Sequence, residues 1–378
     1  MHGYPVLRPC MTVLLAAVAC TSLLSPQTGV LATQTLSTRT NENVVQCDGG
    51  RETENEKCCI FYDVRDDLQA NLFNGGKCDD ESREALRMMF HDAISYSTTD
   101  NGSFSGGGAD GSIVEHAEIE ALYPENAGLD DMAFEQRAIA QKYSVPLHFA
   151  GAIGLSNCAG APRLHFFAGR NVASQPAPDG LVPAPFHSVD QILARMGDAG
   201  FSPEEVVTLL ASHSIGTQHH VDPTIDGMPL DSTPEEFDTQ FFLDIALKGT
   251  YFPGNGSNRG EAMPSSPNQL RIQSDNDLAR DPRTSCIWKS YINNQEKMNR
   301  DFVAVMRKLS TLGQDMSKLI DCSDVIPTPK PLPQSRNSAV LPPGKTIDDI
   351  ETPVRAKAPS RRSANLSDLG RPISLCGT

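Results

Sequence analysis

Arg87-Met88-Met89-Phe90-His91-Asp92-Ala93 is the stretch on which the reading of this chain turns. It closes a run from Asp79 to Ala93, DDESREALRMMFHDA, that holds no Gly or Pro, is rich in helix formers and opens with acids suited to a helix N-terminus. The spacing predicts a helix with Arg87 and His91 one turn apart on a single face, and with Asp80 and Glu84 continuing that face backwards. An imidazole beside a guanidinium suits peroxide chemistry. A neutral ring can move a proton between two oxygens, while an Arg that never deprotonates stabilises a departing anion. The competing reading is a surface histidine next to a solvated arginine, and this helix taken alone favours it.

At 378 residues the chain can hold one two-lobed domain or two domains. Its 39% hydrophobic and 21% charged residues are ordinary for a globular protein, and a formal charge of -15 argues against a nucleic-acid partner. Residues 1–32 carry one charge, Arg8, followed by the apolar run Met11 to Cys20, which reads as a secretory signal peptide; an uncleaved anchor is the alternative. Residues 33–46 are a polar leader or propeptide, and no later segment is a transmembrane candidate. Loss of the signal removes Cys10 and Cys20 and leaves Cys47, Cys58, Cys59, Cys78, Cys158, Cys286, Cys322 and Cys376. An even set in a secreted chain implies disulfides, whose pairing counting alone leaves open.

Helical patterns are expected at Ile60 to Phe73, Ser112 to Tyr123, Asp130 to Tyr143, Pro146 to Asn157, Ser188 to Asp198, Glu236 to Leu247 and Cys286 to Leu312. Asp100 to Ser112, DNGSFSGGGADGS, is too rich in Gly for a regular element. Near it Asp92, Asp110 and Ser112 are hard oxygen donors that with backbone carbonyls could complete a calcium site, against the plainer reading of a solvated turn. Ser202-Pro203-Glu204-Glu205 is a complete helix-start signal, and along that helix Val206, Leu209, Leu210 and His213 form a buried stripe. A lone histidine on such a stripe is usually a core residue. Here it precedes a second donor cluster, Ser214 with Asp231-Ser232-Thr233-Pro234-Glu235-Glu236-Phe237-Asp238, for which N-capping is the plainer role. The Pro- and Gly-rich connection Ala173 to Pro185 separates two helical halves, read as 47–187 and 188–322, and 323–378 is an extended Pro-rich tail. Asn101, Asn255 and Asn365 begin glycosylation sequons.

The motifs RMMFHDA at Arg87, GGGADGS at Gly106, SNCAGAPR at Ser156, PAPDGLVP at Pro176, LLASHSI at Leu209, DSTPEEFD at Asp231 and DPRTSCIW at Asp281 together make the chain resemble the secreted fungal class II haem peroxidases. The group includes lignin, manganese, versatile and generic peroxidases, and the resemblance runs from about Cys47 to Pro333. It implies an all-α, two-lobed fold clasping one haem b, two calcium ions, and a secreted monomer that acts on hydrogen peroxide without nucleic acid or membrane. By resemblance His91 is the distal acid/base, Arg87 its partner, Phe90 the wall over the haem and Asn126 the residue bonded to the distal histidine. His213 is the iron ligand and Asp275 accepts its other ring proton. Asp92, Gly108, Asp110 and Ser112 match the distal calcium site; Ser214, Asp231, Thr233, Glu236 through its backbone, and Asp238 match the proximal one. The implied bridges are Cys47–Cys59, Cys58–Cys322, Cys78–Cys158 and Cys286–Cys376.

The electron donor is where the chain departs from its relatives. Lignin and versatile peroxidases carry a surface Trp five residues before the proximal histidine; this chain has Thr208 there, and its single Trp is Trp288. The manganese route uses three carboxylates, and the matching positions are Asp80, Glu84 and His219. Mn(II) prefers hard oxygen ligands, so a histidine in the third place implies a weak site. The expected function is reduction of hydrogen peroxide with oxidation of small phenolic and aromatic donors at the haem edge through ferryl intermediates. The alternatives are a manganese peroxidase and, from another class, a haem-less secreted calcium-binding protein.

Overall fold

The computed structural model describes residues 44–99, 103–145, 149–170, 172–173, 175–336 and 338–351. The expected signal peptide, the sequons at Asn101 and Asn365, the end of the tail and Cys376, and with it the Cys286–Cys376 bridge, lie outside the described residues.

The helices follow the order α1 (Ile60–Asp67), α2 (Asp80–Ile94), α3 (Ser112–Glu115), α4 (Ala117–Glu120), α5 (Asp130–Tyr143), α6 (Ala150–Ser156), α7 (Val189–Asp198), α8 (Pro203–Leu209), α9 (Gln240–Ala246), α10 (Gln273–Leu278), α11 (Ser285–Tyr291) and α12 (Gln295–Leu309). Strand is confined, among the described residues, to two-stranded ribbons, so the fold is all-α in character. One ribbon pairs Thr217–Gln218 with Met228–Pro229 and so shapes the chain just after His213. The start signals work as their chemistry requires: Ser202 and Glu205 form a reciprocal capping box with Pro203 in the first turn, and Ser188 with Gln191 forms another.

Several elements are shorter than their periodicity implies. The expected helix over 112–123 breaks at His116, whose φ of -117° and ψ of 35° are not helical. The one over 286–312 breaks between α11 and α12, where Asn293 takes a left-handed φ of 59°. The stripe through His213 continues as a 3-10 turn over Leu210–Ile215, because α8 ends at Leu209. Helix α10 was not expected at all.

Two packing arrangements position the candidate site. Helix α6 lies directly on α2, where a Cβ at Gly151 would sit 2.8 Å from Ala85 O and one at Gly154 2.8 Å from Ser82 O. On the other side, Phe241, Phe242, Trp288 and Tyr291 are wholly buried as one aromatic group, with Trp288 Nε1 donating to Phe242 O at 3.0 Å. Truncating Trp288 to Ala there would cost roughly 3–5 kcal/mol. Disulfides join Cys47 to Cys59, Cys58 to Cys322 and Cys78 to Cys158. The middle one closes a loop of 264 residues in sequence and contributes roughly 2–4 kcal/mol.

Candidate active site

Helix α2 places Arg87 and His91 one turn apart, with His91 buried and Arg87 half-buried. His91 Nδ1 lies 2.8 Å from Asn126 Oδ1, while Asn126 Nδ2 donates to Glu120 O at 2.8 Å. The second bond orients the amide, so its oxygen faces the ring, the proton sits on Nδ1 and Nε2 keeps its lone pair. Burial first, then the neighbouring Arg87 charge, pushes the His91 pKa down to about 3. The ring is therefore neutral, and able to accept a proton, throughout the physiological range. Arg87 donates to Ala127 O at 3.1 Å and Glu125 O at 2.9 Å, and with a pKa of about 10, lowered by burial, it stays charged. One short turn, Pro124–Asn126, thus braces both residues. Phe90 packs edge-on against His91, with ring centroids 5.8 Å apart.

His213 sits in the 3-10 turn, its Nδ1 3.0 Å from Asp275 Oδ2. Burial opposes a charged ring, but the Asp275 carboxylate and its hydrogen bond outweigh that, and the His213 pKa is raised. The Asp275 side chain is 1% exposed whereas that of His213 is 30% exposed, so the imidazole is anchored at Nδ1 and opens outward at its other edge. Phe241 stands edge-on to it at 5.7 Å.

The two oxygen clusters assemble as local loops. Asp92 accepts from the backbone of Gly111 at 3.0 Å and Ile113 at 3.4 Å, Asp110 accepts from Ser112 N at 3.2 Å, and buried Ser112 Oγ has no hydrogen-bond partner. Gly108 has a φ of +73°, and a Cβ on it would meet Leu312 O at 2.2 Å. In the second cluster Asp231 accepts from Thr233 N at 2.8 Å, Thr233 Oγ1 donates to Asp238 at 3.1 Å, and buried Ser214 Oγ also lacks a partner. Burial and the neighbouring acid raise the Asp92 and Asp231 pKa values well above the carboxylate range; burial raises Asp238 to about 6. Acids held together with an orphaned hydroxyl fit a hard cation. Among the described residues, however, no three His, Cys, Asp or Glu converge as a metal-binding group, so hydroxyls and carbonyls would have to complete either shell. Glu236 points its side chain away to Arg336, at 3.1 Å, which leaves only its backbone for that role.

At the N-terminal end of α2 the three candidate manganese residues do not form a cage. Asp80 Oδ1 accepts from Arg83 at 2.8 Å and from Thr217 Oγ1 at 2.9 Å, with His219 Nε2 4.0 Å away. His219 Nδ1 is itself 2.8 Å from Asp226. Glu84 has a raised pKa, from burial against the opposing charge of Arg87. Thr208 is buried, its hydroxyl 2.7 Å from that of Tyr291.

A family model described as Peroxidase matches residues 64–294, and a second, Fungal peroxidase extension region, matches residues 297–363. This chain belongs to the peroxidase family. It is 48% identical over 317 residues to ligninase B of Phanerodontia chrysosporium, covering 82% of this chain and 85% of that protein. It is 50% identical over 320 residues to versatile peroxidase VPS1 of Pleurotus eryngii (83% and 86%), and 51% identical over 311 residues to manganese peroxidase 3 of Phlebia radiata (80% and 85%). The peroxidase is an oxidoreductase that uses hydrogen peroxide and a reducing substrate, and membership implies haem. The donor set fits that group: one imidazole anchored at Nδ1 by a buried carboxylate, and a second, neutral imidazole one turn from a guanidinium. Among the described residues no helix is long and apolar enough to cross a membrane.

Residue patterns alone pointed to Arg87 and His91, but not to what holds them. Glu120 is 1% exposed with a pKa raised by burial to about 7, and it carries the carbonyl that orients Asn126. Thr217 and Asp226, which occupy Asp80 and His219, are likewise joined only by the fold, whereas Arg83 stands three residues after Asp80, a helical ion-pair spacing that the sequence does carry.

Proposed function

We propose that this peroxidase binds haem through His213, works on peroxide with His91 and Arg87, and oxidises small phenolic and aromatic donors at the haem edge. The observation that carries the donor assignment is the engagement of Asp80 by Arg83 and Thr217, with a histidine where a third carboxylate would be needed. Haem, when bound, supplies the iron that peroxide oxidises. His91 Nε2 takes the peroxide proton and returns it to the departing oxygen, while Nδ1 stays committed to Asn126. Arg87 stabilises the negative charge that develops as the O–O bond breaks. Asp275 draws the Nδ1 proton of His213 toward itself and makes Nε2 more electron-rich. Phe90 excludes water beside the reacting oxygens.

Two calcium ions would neutralise the acid pairs, one held by Asp92, Gly108 O, Asp110 and Ser112, the other by Ser214, Asp231, Thr233, Glu236 O and Asp238. Two lobes, 47–187 and 188–322, contribute one histidine each. The protein is read as a secreted monomer, with 323–378 as a tail.

The second reading, a manganese peroxidase, is favoured by the 51% identity to manganese peroxidase 3 and by two acids one turn apart at Asp80 and Glu84. Steady-state turnover with a phenol, Mn(II) and a nonphenolic aromatic in parallel separates the readings. Fast phenol oxidation with slow Mn(III) formation is expected. Micromolar-range Mn(II) affinity with rapid turnover would reverse the assignment. Absence of a Soret band in the purified protein would instead favour the haem-less calcium-binding alternative.

A further inference from the structure

The Asp275 carboxylate is held by very little. Among the described residues its Oδ1 is buried with no hydrogen-bond partner, and its Oδ2 bonds only His213. Where the carboxylate sits is therefore decided by the backbone of α10, a helix of six residues and too short to be stable on its own. The first turn of α10 is tied by Gln273 N to Gly260 O at 2.7 Å and by Ser274 N to Pro185 O at 3.0 Å. Toward its other end Thr284 Oγ1 donates to Leu278 O at 2.5 Å and Arg271 Nη1 to Asn276 Oδ1 at 3.5 Å, and one further side chain joins that turn to the C-terminal extension.

That side chain is Arg280. Its Nη1 donates to the carbonyl of Asn276, the residue after Asp275, at 2.8 Å; Nη2 donates to Leu247 O at 3.2 Å; and Nε donates to Glu351 at 2.7 Å. One guanidinium thus links the helix carrying Asp275, the end of the helix carrying Phe241, and the C-terminal extension. The extension is zipped to the same place, with Lys248 N to Asp349 O at 2.7 Å, Glu351 N to Ala246 O at 3.0 Å and Leu247 paired with Ile350. At the other end of α9, Val340 exchanges two bonds with the Gln240 amide, of 2.7 and 3.0 Å. Glu351 also has an electrostatic task, since Arg280 disfavours the charge on the buried Arg271 and Glu351 offsets that.

We propose that Arg280 and Glu351 are positioning residues for Asp275, so that the C-terminal extension sets the strength of the Asp275–His213 hydrogen bond. This rests on the reading of His213 as the iron ligand. Without Glu351 the guanidinium loses its charge partner, which is 40% exposed, and its hold on Asn276 O and Leu247 O loosens. The last turn of α10 then drifts, and the imidazole loses anionic character.

The test is the iron–histidine stretching band of the ferrous holoenzyme, read by resonance Raman. Arg280→Gln and Glu351→Gln should move the band to lower frequency, Glu351→Asp should recover part of the shift, and Lys345→Ala should leave it in place. Lys345 serves as the control because it joins the same extension to Lys248 O and Thr250 without touching Arg280. An unmoved band in both Arg280→Gln and Glu351→Gln overturns the proposal, as does an equal shift in Lys345→Ala, which would mean general loosening. Should Arg280→Gln fail to fold, the more exposed Glu351→Gln decides alone. Survival of the wild-type band in His213→Ala would instead reject His213 as ligand, a separate failure.

Discussion

His91 and His213 are the same side chain placed in opposite fields. His91 stands on a 15-residue helix, bonded to an amide and one turn from a guanidinium, with its pKa pushed down to about 3 by burial and by Arg87. His213 stands in a six-residue 3-10 turn, bonded to a carboxylate, with its pKa raised because Asp275 outweighs burial. A neutral partner leaves a ring that can accept and give back a proton. An anionic partner leaves a ring that donates electron density. The difference teaches that the charge of the group behind each Nδ1 sets the direction of each pKa, since desolvation lowers both and only the carboxylate behind His213 reverses it.

The contrast is broken most severely by removing the distal ring. His91→Leu should lower kcat/KM for peroxide by roughly 10²–10⁴-fold, the usual scale for a positioned acid/base, measured by stopped-flow absorption. In the unmutated enzyme the same rate should persist as pH falls and be lost only near about 3, where Nε2 takes up a proton. A smaller effect is expected from making the two partners alike: Asp275→Asn should cost about 10–100-fold in turnover, with a higher iron reduction potential read by spectroelectrochemistry.

Third comes removal of the cations proposed to steady each ring. Chelation should lower the melting temperature, and the chelated protein should then lose stability as pH rises through about 6. The sign follows from Asp238: its folded pKa is raised above the unfolded value, so its stabilising protonated form is present at low pH and lost above that point. A melting temperature unaffected by chelator would remove calcium from the account. The smallest effect lies at the rim, where His219→Asp should strengthen Mn(II) binding by roughly tenfold, about 1.4 kcal/mol, in a titration.

What the sequence disclosed follows from which signals are local. Capping chemistry at Ser202, the Gly and Pro punctuation and the Asp79 to Ala93 run are local, and the elements lie where they point. Helix α10 has no such signal: six residues, QSDNDL, offer no apolar face, and Asp275 was reached only through family likeness. The break at Asn293 needed a left-handed residue that a periodicity count passes over. The shortening of α8 leaves the expected stripe incomplete: Val206 and Leu209 are buried, but Leu210 and His213, in the 3-10 turn with its tighter three-residue repeat, are only half-buried. The bonds occupying Asp80 run to residues as far away as Thr217, beyond any sequence window.

Gly151 and Gly154 on α6, with no room for a Cβ against α2, imply a pattern that a saturation library would expose. Neither glycine belongs to the proposed site, yet both should tolerate replacement almost as poorly as His91, because any added carbon would shove the helix that carries Arg87 and His91. Intolerance mapped onto this enzyme would draw a stripe behind the reacting groups as well as the groups themselves.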